Sequence, residues 1–537
     1  MAACPPCLAC LGGLRVRRRR RAETSASDTR EDSAPDITVF QTVQRRVSSR
    51  RRAPGIDLGI LRLNYDPSRP VNKQYRTLEK LGEGAYGSVY KVKNEVGDQI
   101  RAMKVLNKKT DVKEDMGFVV AEIEAMVRLD HPNIARCIQF FEDDRSIYLI
   151  AELCNGGDFS KVGRFGRQEV RLLFQDVFRG VAYCHGQDIA HRDLKFENCM
   201  LCTGQGRRVA KVIDFGHSSI KTDGSSDLYM NEALGTKYFV APEVIDNQVQ
   251  VKMYGVKCDI WSLGVMMYII LTKEHPFAEH ATKLPSRELF RKIRGGSLRL
   301  RPLDQAHVEV PAVELLKGQP GLLTRSVPLR IDAASALKKE WLNVDPDPSR
   351  SLVSQTSEAE MLSRLVTYRN MSRFEKTVLM MAAHQADIQV VEDLKEEFIK
   401  LDTQADGSLT IAELKAGLDK CGAKLSQAEL SESFDSVDLN LNHKIDYSEW
   451  LSATIAPSRL NVDAAMQELF EFFDHDHNGK VEMVELVEVV GRDEAEGVFR
   501  DSDVDHDGTL SWEEFRDLIH RVADRRRQVD RVAPAKT

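Results

Sequence analysis

Between residues 474 and 485 the chain places Asp474, Asp476, Asn478, Glu482 and Glu485 close together, with Gly479 among them. Like charges this dense repel unless a cation sits between them. Calcium takes about six to eight oxygen ligands, and the helix–loop–helix site that supplies them draws on loop positions 1, 3, 5, 7, 9 and 12, with glycine at 6. The stretch fits throughout, with the Lys480 carbonyl at position 7 and Glu485 at the bidentate place. Three further loops fall into register. One is Asp503, Asp505, Asp507, Gly508, the Thr509 carbonyl, Ser511 and Glu514. Another is Asp402, Gln404, Asp406, Gly407, the Ser408 carbonyl, Thr410 and Glu413. The remaining one is Asp438, Asn440, Asn442, the Lys444 carbonyl, Asp446 and Glu449, with His443 where glycine is expected. The four loops start 36, 36 and 29 residues apart, an internal repeat that has to be recognised before any fold is assigned. Position 8 is apolar in each (Leu409, Ile445, Val481 and Leu510), which predicts pairing of adjacent loops into two lobes of two hands. A lone acidic turn could simply be solvated, but four in register could not. Loops three and four offer four carboxylates each and loops one and two offer three, so all four are expected to bind calcium, the last two more tightly.

A second set of residues lies upstream. "LGEGAYGSVYKV" sets Gly82, Gly84 and Gly87 on a strand–turn–strand, where missing side chains let the backbone close over phosphates. Alone, such a run is as consistent with an ordinary hairpin. It is followed by "AMKV", which supplies Lys104 as a cation for phosphates, and by Glu122 on a helical pattern, able to pair with it. "HRDLKFEN" supplies Asp193, Lys195 and Asn198, "DFG" supplies Asp214, and "APE" occupies 241–243. In this order and spacing the chain resembles a eukaryotic protein kinase.

That resemblance implies an ATP site formed by Leu81, Gly82, Glu83, Gly84, Ala85, Tyr86, Gly87, Ser88, Val89, Lys104, Glu122, Ala151 and Asp158. Ala151 would be the gatekeeper, leaving an apolar hollow behind the adenine. Asn198 and Asp214 would hold Mg2+. Asp193 would orient a substrate hydroxyl and accept its proton, and Lys195 would neutralise the transferring phosphoryl group. Asp158 would face the ribose and a basic residue upstream of the target. Glu243 would pair with Arg330, Asp259 would brace the catalytic loop, and Thr236 would contact Asp193.

A kinase domain joined to four calcium hands resembles the calcium-dependent protein kinases of plants and protists, over about residues 75–520. The implied fold is an α+β bilobal protein kinase domain followed by an all-α, two-lobed EF-hand domain. The implied activity is that of a calcium-activated serine/threonine protein kinase using ATP, Mg2+ and Ca2+, held inactive by a junction helix that calcium withdraws. The other reading is a calcium-sensing scaffold with an inert kinase fold; intact Lys104, Asp193 and Asp214 favour the enzyme. Asp158 departs from the usual Glu, and residues 303–323 match loosely. In "SSDLYMNEALGT", Asp227 or Glu232 could meet Arg192 in place of an activating phosphate, or could simply be solvated.

The elements that must position these residues follow from pattern. From Tyr75, "YRTLEKLG", "SVYKVKN" and "RAMKVLN" alternate as strands, with helical segments to about Trp341. The expected domains are 1–70, a disordered basic extension; 75–342, the catalytic domain; 350–390, an autoinhibitory junction helix; 391–521, a calmodulin-like domain with four hands; and 522–537, a basic tail. Net charge is −6, but residues 1–60 hold 12 Arg against 6 acids, and residues 387–520 hold 33 acids against 11 Lys and Arg. Ten scattered cysteines without a secretory leader argue against a disulfide framework. Cys4, Cys7 and Cys10 before Arg15 and the run at 17–21 suit palmitoylation beside anionic lipid, or form a disordered tail or nuclear address. Ala2 excludes myristoylation. The expected partners are proteins with Ser or Thr near basic residues, with no nucleic acid, from a monomer that is cytoplasmic and attached peripherally to membrane if lipidated. His191 and His217 read as structural. Cys199 and Cys202 read as buried strand thiols. The Val378–Met381 stripe reads as core or as a calmodulin target.

Overall fold

The computed structural model describes residues 38–49, 70–84, 87–108, 113–203, 207–216, 218–220, 236–247, 255–344, 364–365, 367–420 and 425–532. Cys4, Cys7, Cys10, the arginines at 15 and 17–21, Ala85, Tyr86, His217, Asp227 and Glu232 lie outside them, as does the side chain of Thr236. No helix among the described residues is long and apolar enough to cross a membrane.

The extension expected to be disordered over 1–70 contains a helix, α1 (Val39–Ser49). Val39, Phe40 and Val43 share one face, and Val39 and Val43 are buried. So short a helix is marginal alone and depends on burying that face. The strands follow as β1 (Tyr75–Gly84), β2 (Gly87–Asn94) and β3 (Ile100–Asn107). Then come helix α2 (Lys113–Arg128), β4 (Cys137–Glu142) and β5 (Ser146–Glu152). They form one antiparallel sheet in the order β1-β2-β3-β5-β4.

The larger lobe is built on α3 (Arg167–Gly186), the hairpin β6 (Cys199–Thr203) and β7 (Arg208–Val212), and α4 (Lys257–Thr272). Nearly every residue of α4 from Cys258 to Ile270 is buried, as an all-round apolar helix must be. The loosely matching stretch at 303–323 is ordered. It carries helices Arg301–Gln305 and Val310–Lys317, with Leu303, Leu315, Leu316 and Leu322 in the core.

The region expected to be one junction helix over 350–390 is broken. Ser372 caps a new helix, α5 (Arg373–Gln385), through a reciprocal capping box with Glu375. A separate helix, α6 (Ile388–Leu401), follows. The EF-hand helices continue as α7 (Ile411–Lys420), α8 (Gln427–Val437), α9 (Tyr447–Thr454), α10 (Val462–Phe473), α11 (Met483–Val490), α12 (Arg492–Ser502) and α13 (Trp512–Val532). The expected basic tail from 522 is therefore helical through Val532. Adjacent loops pair as expected, Leu409 opposite Ile445 and Val481 opposite Leu510. α5 lies inside the core that these hands share. Phe374 packs on Phe473 and Phe515, and Met380 and Met381 are buried, so the methionine stripe is core.

The expected Arg330–Glu243 pair is formed. The guanidinium makes two hydrogen bonds, of 2.6 and 2.9 Å, to the carboxylate. It also donates to the Thr324 and Lys257 carbonyls and lies 5.2 Å from the Trp261 ring. Arg330→Ala leaves Glu243 and these acceptors without their donor, so it is expected to cost about 3–5 kcal/mol, the range for breaking a buried pair. Arg330→Lys should recover little, because an ammonium lacks the fork. Urea unfolding followed in the kinase lobe measures both. A loss below about 1 kcal/mol for Arg330→Ala would mean that the pair behaves as an exposed one.

Candidate active site and acidic loops

The glycine-rich turn joins β1 to β2, with Gly84 opposite Gly87 and Gly82 opposite Val89. Leu81, Gly82 and Glu83 are exposed, while Ser88 and Val89 are half-buried. The glycines do different work. A Cβ on Gly87 would lie 1.8 Å from the Val105 carbonyl oxygen, whereas one on Gly82 meets nothing within 4 Å. Gly87 thus permits the close approach of β2 to β3, and Gly82 leaves open the space where phosphates could lie.

Lys104 on β3 meets Glu122 of α2 at 2.5 Å and Asp214 at 2.8 Å. Burial alone would lower the lysine's pKa, but the two carboxylates hold it above its ordinary value. Burial would raise the pKa of Asp214, but Lys104 outweighs it and holds it near about 2. Asp214 has φ 63° and Arg192 φ 66°, left-handed conformations uncommon outside glycine. Asp193 Oδ2 accepts from Lys195 Nζ at 2.6 Å and from Asn198 Nδ2 at 3.1 Å. Beneath them, buried Asp259 accepts from the His191 and Arg192 backbone N–H groups at 2.9 and 2.8 Å and sits 2.9 Å from His185 Nε2, the bracing expected of it. His191 Nε2 lies 3.0 Å from the Ile213 carbonyl, which is a structural role. Cys199 and Cys202 are buried thiols on β6, and Cys202 Sγ lies 2.9 Å from Cys154 Sγ.

Ala151 lies at the end of β5, opposite Ala102 and Cys137, and is half-buried. Asp158 caps the 3-10 turn Phe159–Arg164, accepting from the Ser160 N–H at 2.9 Å.

The acidic loops share one hydrogen-bond scheme. Asp474 accepts from the Asn478 and Gly479 N–H groups at 3.0 and 2.9 Å, and Glu485 accepts from the His475 and Glu482 N–H groups. Asp402 with Glu413, Asp438 with Glu449, and Asp503 with Glu514 repeat it. His443 takes φ 63°, matching Gly407, Gly479 and Gly508, and Ala405, Leu441, His477 and His506 at loop position 4 are left-handed as well. Carboxylate oxygens of Asp474, Asp476 and Glu485 converge within 4.8 Å of one another, as do those of Asp503, Asp505 and Asp507. All-oxygen donor sets of this kind suit a hard divalent cation. In loops one and two the amides of Gln404 and Asn440 take the third position, which Asp476 and Asp505 hold in the other pair, while Asn442, like Asn478 of loop three, takes the fifth.

The kinase domain also contacts the end of α5 and loop two, contacts that no sequence motif announces. Arg101 of β3 donates to the Gln385 carbonyl and to Asp387, each at 2.6 Å. Arg136 donates to the His384 and Ala386 carbonyls at 3.1 and 2.6 Å. His384 Nε2 lies 3.0 Å from the Cys137 carbonyl. Asp130 accepts from Ser448 N and Oγ at 2.8 and 2.9 Å. In the sequence these side chains read as ordinary strand, loop or helix residues, and no local signal marks them as contacts.

The protein kinase domain family matches residues 75–342, and the EF-hand domain pair matches residues 463–520. Calcium-dependent protein kinase 21 of Arabidopsis thaliana is 30% identical over 84% of this chain and 83% of that protein. Calcium-dependent protein kinase 9 of the same plant is 31% identical over 82% of this chain and 81% of that protein. Calcium-dependent protein kinase 33 is 28% identical over 95% of this chain and 96% of that protein.

The two glycines separate stability from nucleotide binding. Gly87→Ala should lower the melting temperature and activity together, because β2 and β3 must part. Gly82→Ala should leave the melting temperature within about 2 °C, a shift of no more than about 1 kcal/mol for a domain of this size, while raising the KM for ATP. Thermal melts beside ATP titrations decide it. Equal melting losses for both variants would contradict the assignment.

Proposed function

The chain belongs to the calcium-dependent protein kinase family, and from that premise we propose how its residues divide the work of a calcium-activated serine/threonine kinase. The supporting observation is the constellation of Asp193, Lys195 and Asn198 beside the Lys104–Glu122–Asp214 chain of charges. Asp193 orients the substrate hydroxyl and takes its proton, while Lys195 sits beside the phosphoryl group in transfer. Lys104, oriented by Glu122, meets the ATP phosphates under the glycine-rich turn. Asn198 uses its Nδ2 on Asp193, so its carbonyl oxygen, with Asp214, is suited to Mg2+, which when bound neutralises phosphate charge.

Calcium would be held by Asp402, Gln404, Asp406, Ser408 and Glu413; by Asp438, Asn440, Asn442, Lys444 and Glu449; by Asp474, Asp476, Asn478, Lys480 and Glu485; and by Asp503, Asp505, Asp507, Thr509 and Glu514. On this reading the arrangement with α5 docked is the released one. α5 is enclosed by the hands, and its carboxyl end is held by Arg101 and Arg136. Without calcium the hands close, α5 loses its apolar enclosure, and the junction is free to obstruct the kinase. The Asp158 carboxylate, partly used as a cap through Oδ1, favours a basic residue before the target Ser or Thr.

A phosphotransfer assay with and without calcium tests the regulatory reading. Glu485→Gln with Glu514→Gln should remove most of the calcium activation, and normal activation of that double variant would refute it. Arg136→Ala should lower the calcium-activated rate while leaving the intrinsic affinity of loops three and four unchanged in calcium titration. For Asp158, a peptide array should show enrichment of upstream Arg or Lys that weakens in Asp158→Asn. An array without such enrichment removes the role.

A further inference from the structure

α1 precedes the catalytic domain, yet it is packed against it. Val39 and Val43 are buried in one cluster with Leu106 of β3, Val120, Ile123 and Val127 of α2, Phe140 of β4, and Ile147 and Leu149 of β5. Phe40 stacks on Phe140 with centroids 6.2 Å apart and planes at 20°. The amino end is anchored by a buried acid. Glu142 accepts from the Val39 N–H at 3.2 Å and from the Phe40 N–H at 2.9 Å, satisfying donors that a helix start leaves open and placing negative charge at the positive end of its dipole. Lys108 lies 2.6 Å from the same carboxylate. Farther along, Arg46 lies 3.6 Å from buried Glu124.

The face of α2 that receives α1 carries Val120, Ile123, Glu124 and Val127, the i, i+3, i+4, i+7 spacing of a single stripe. Glu122 is turned about 100–200° from Ile123 and Glu124 at 3.6 residues per turn, toward Lys104. α2 is therefore gripped from outside by α1 and from inside by one ion pair. We infer that α1 is a positioning element for catalysis: its docking on α2, β4 and β5 sets the place of α2, and so keeps Glu122 on Lys104. Its described side chains pack on α2 and the sheet, away from the reacting groups. The inference rests on the proposed role of the Lys104–Glu122 pair and adds a requirement from outside the catalytic domain.

The test is a double-mutant cycle in the full chain at saturating calcium. Val43→Asp sets an unpaired charge into the cluster and should lower kcat by about tenfold, some 1.4 kcal/mol of activation free energy, while the calcium midpoint stays fixed. Val43→Ile should retain the parent kcat. Glu122→Gln should be slow by itself; if it is not, the reading of the ion pair fails, independently of α1. In the Glu122→Gln background, Val43→Asp should cost less than about twofold, because residues acting through one interaction are non-additive. If Val43→Asp prevents folding, Phe40→Ala replaces it in the same cycle. Parent-like kcat in the Val43 or Phe40 variant overturns the inference. So does a full additive loss in the Glu122→Gln background, which would mark α1 as stabilising the lobe without acting on the pair.

Discussion

The carboxyl end of α5 is where the two halves of the protein depend on each other. A helix ends with carbonyls that lack partners inside the helix, and with the negative end of its dipole. Here Arg101 and Arg136 supply the donors, and both are buried. A buried guanidinium is tolerable only when its donors are satisfied. Arg136 retains Glu152 as an ion partner at 3.7 Å, but its short hydrogen bonds run to the helix end. The arginines hold α5, and α5 satisfies the arginines. Neither side keeps that satisfaction alone, which favours a docked or an undocked state over graded intermediates.

The surface around this clamp is made partly of the calcium loops themselves. Ser448 stands one residue before Glu449, which closes loop two, and both donors of Ser448 go to Asp130 of the kinase. Gly407 of loop one turns against the kinase, where a Cβ would come within 2.3 Å of the Tyr183 ring. That ring is itself stacked on His131, with centroids 5.1 Å apart. Loop geometry and kinase contact therefore share residues, and the geometry of one constrains the other without any intervening relay.

What could be read from the sequence was whatever is local and periodic. The four loops, their apolar eighth positions and the spacing of Lys104, Asp193 and Asp214 follow from contacts within a few residues or from motifs with a fixed order. His443 at φ 63° could be anticipated because the loop demands that conformation of its sixth residue. The left-handed fourth position, held by Ala405, Leu441, His477 and His506, was missed because those residue types do not announce it. α1 was missed for a different reason. Its apolar face is three residues wide in an Arg- and Ser-rich stretch, and only the groove offered by α2, β4 and β5 makes it a helix. Arg101, Arg136 and Asp130 are ordinary residues until a partner more than two hundred positions away in sequence is folded against them.

Linkage follows from that shared surface. Any cation that favours the loop geometry seen in the docked arrangement must bind more tightly when the kinase is docked, by the same factor by which it strengthens docking. Loops one and two touch Tyr183 and Asp130, and they are the loops in which an amide takes the third position. Loops three and four have the converging carboxylates, and their Gly479 and Gly508 positions have no neighbour within 4 Å. The donor sets poorer in carboxylates are thus the ones in contact with the kinase. A loop whose geometry is shared with the kinase contact would, by this linkage, convert a change in calcium into a change in the position of α5.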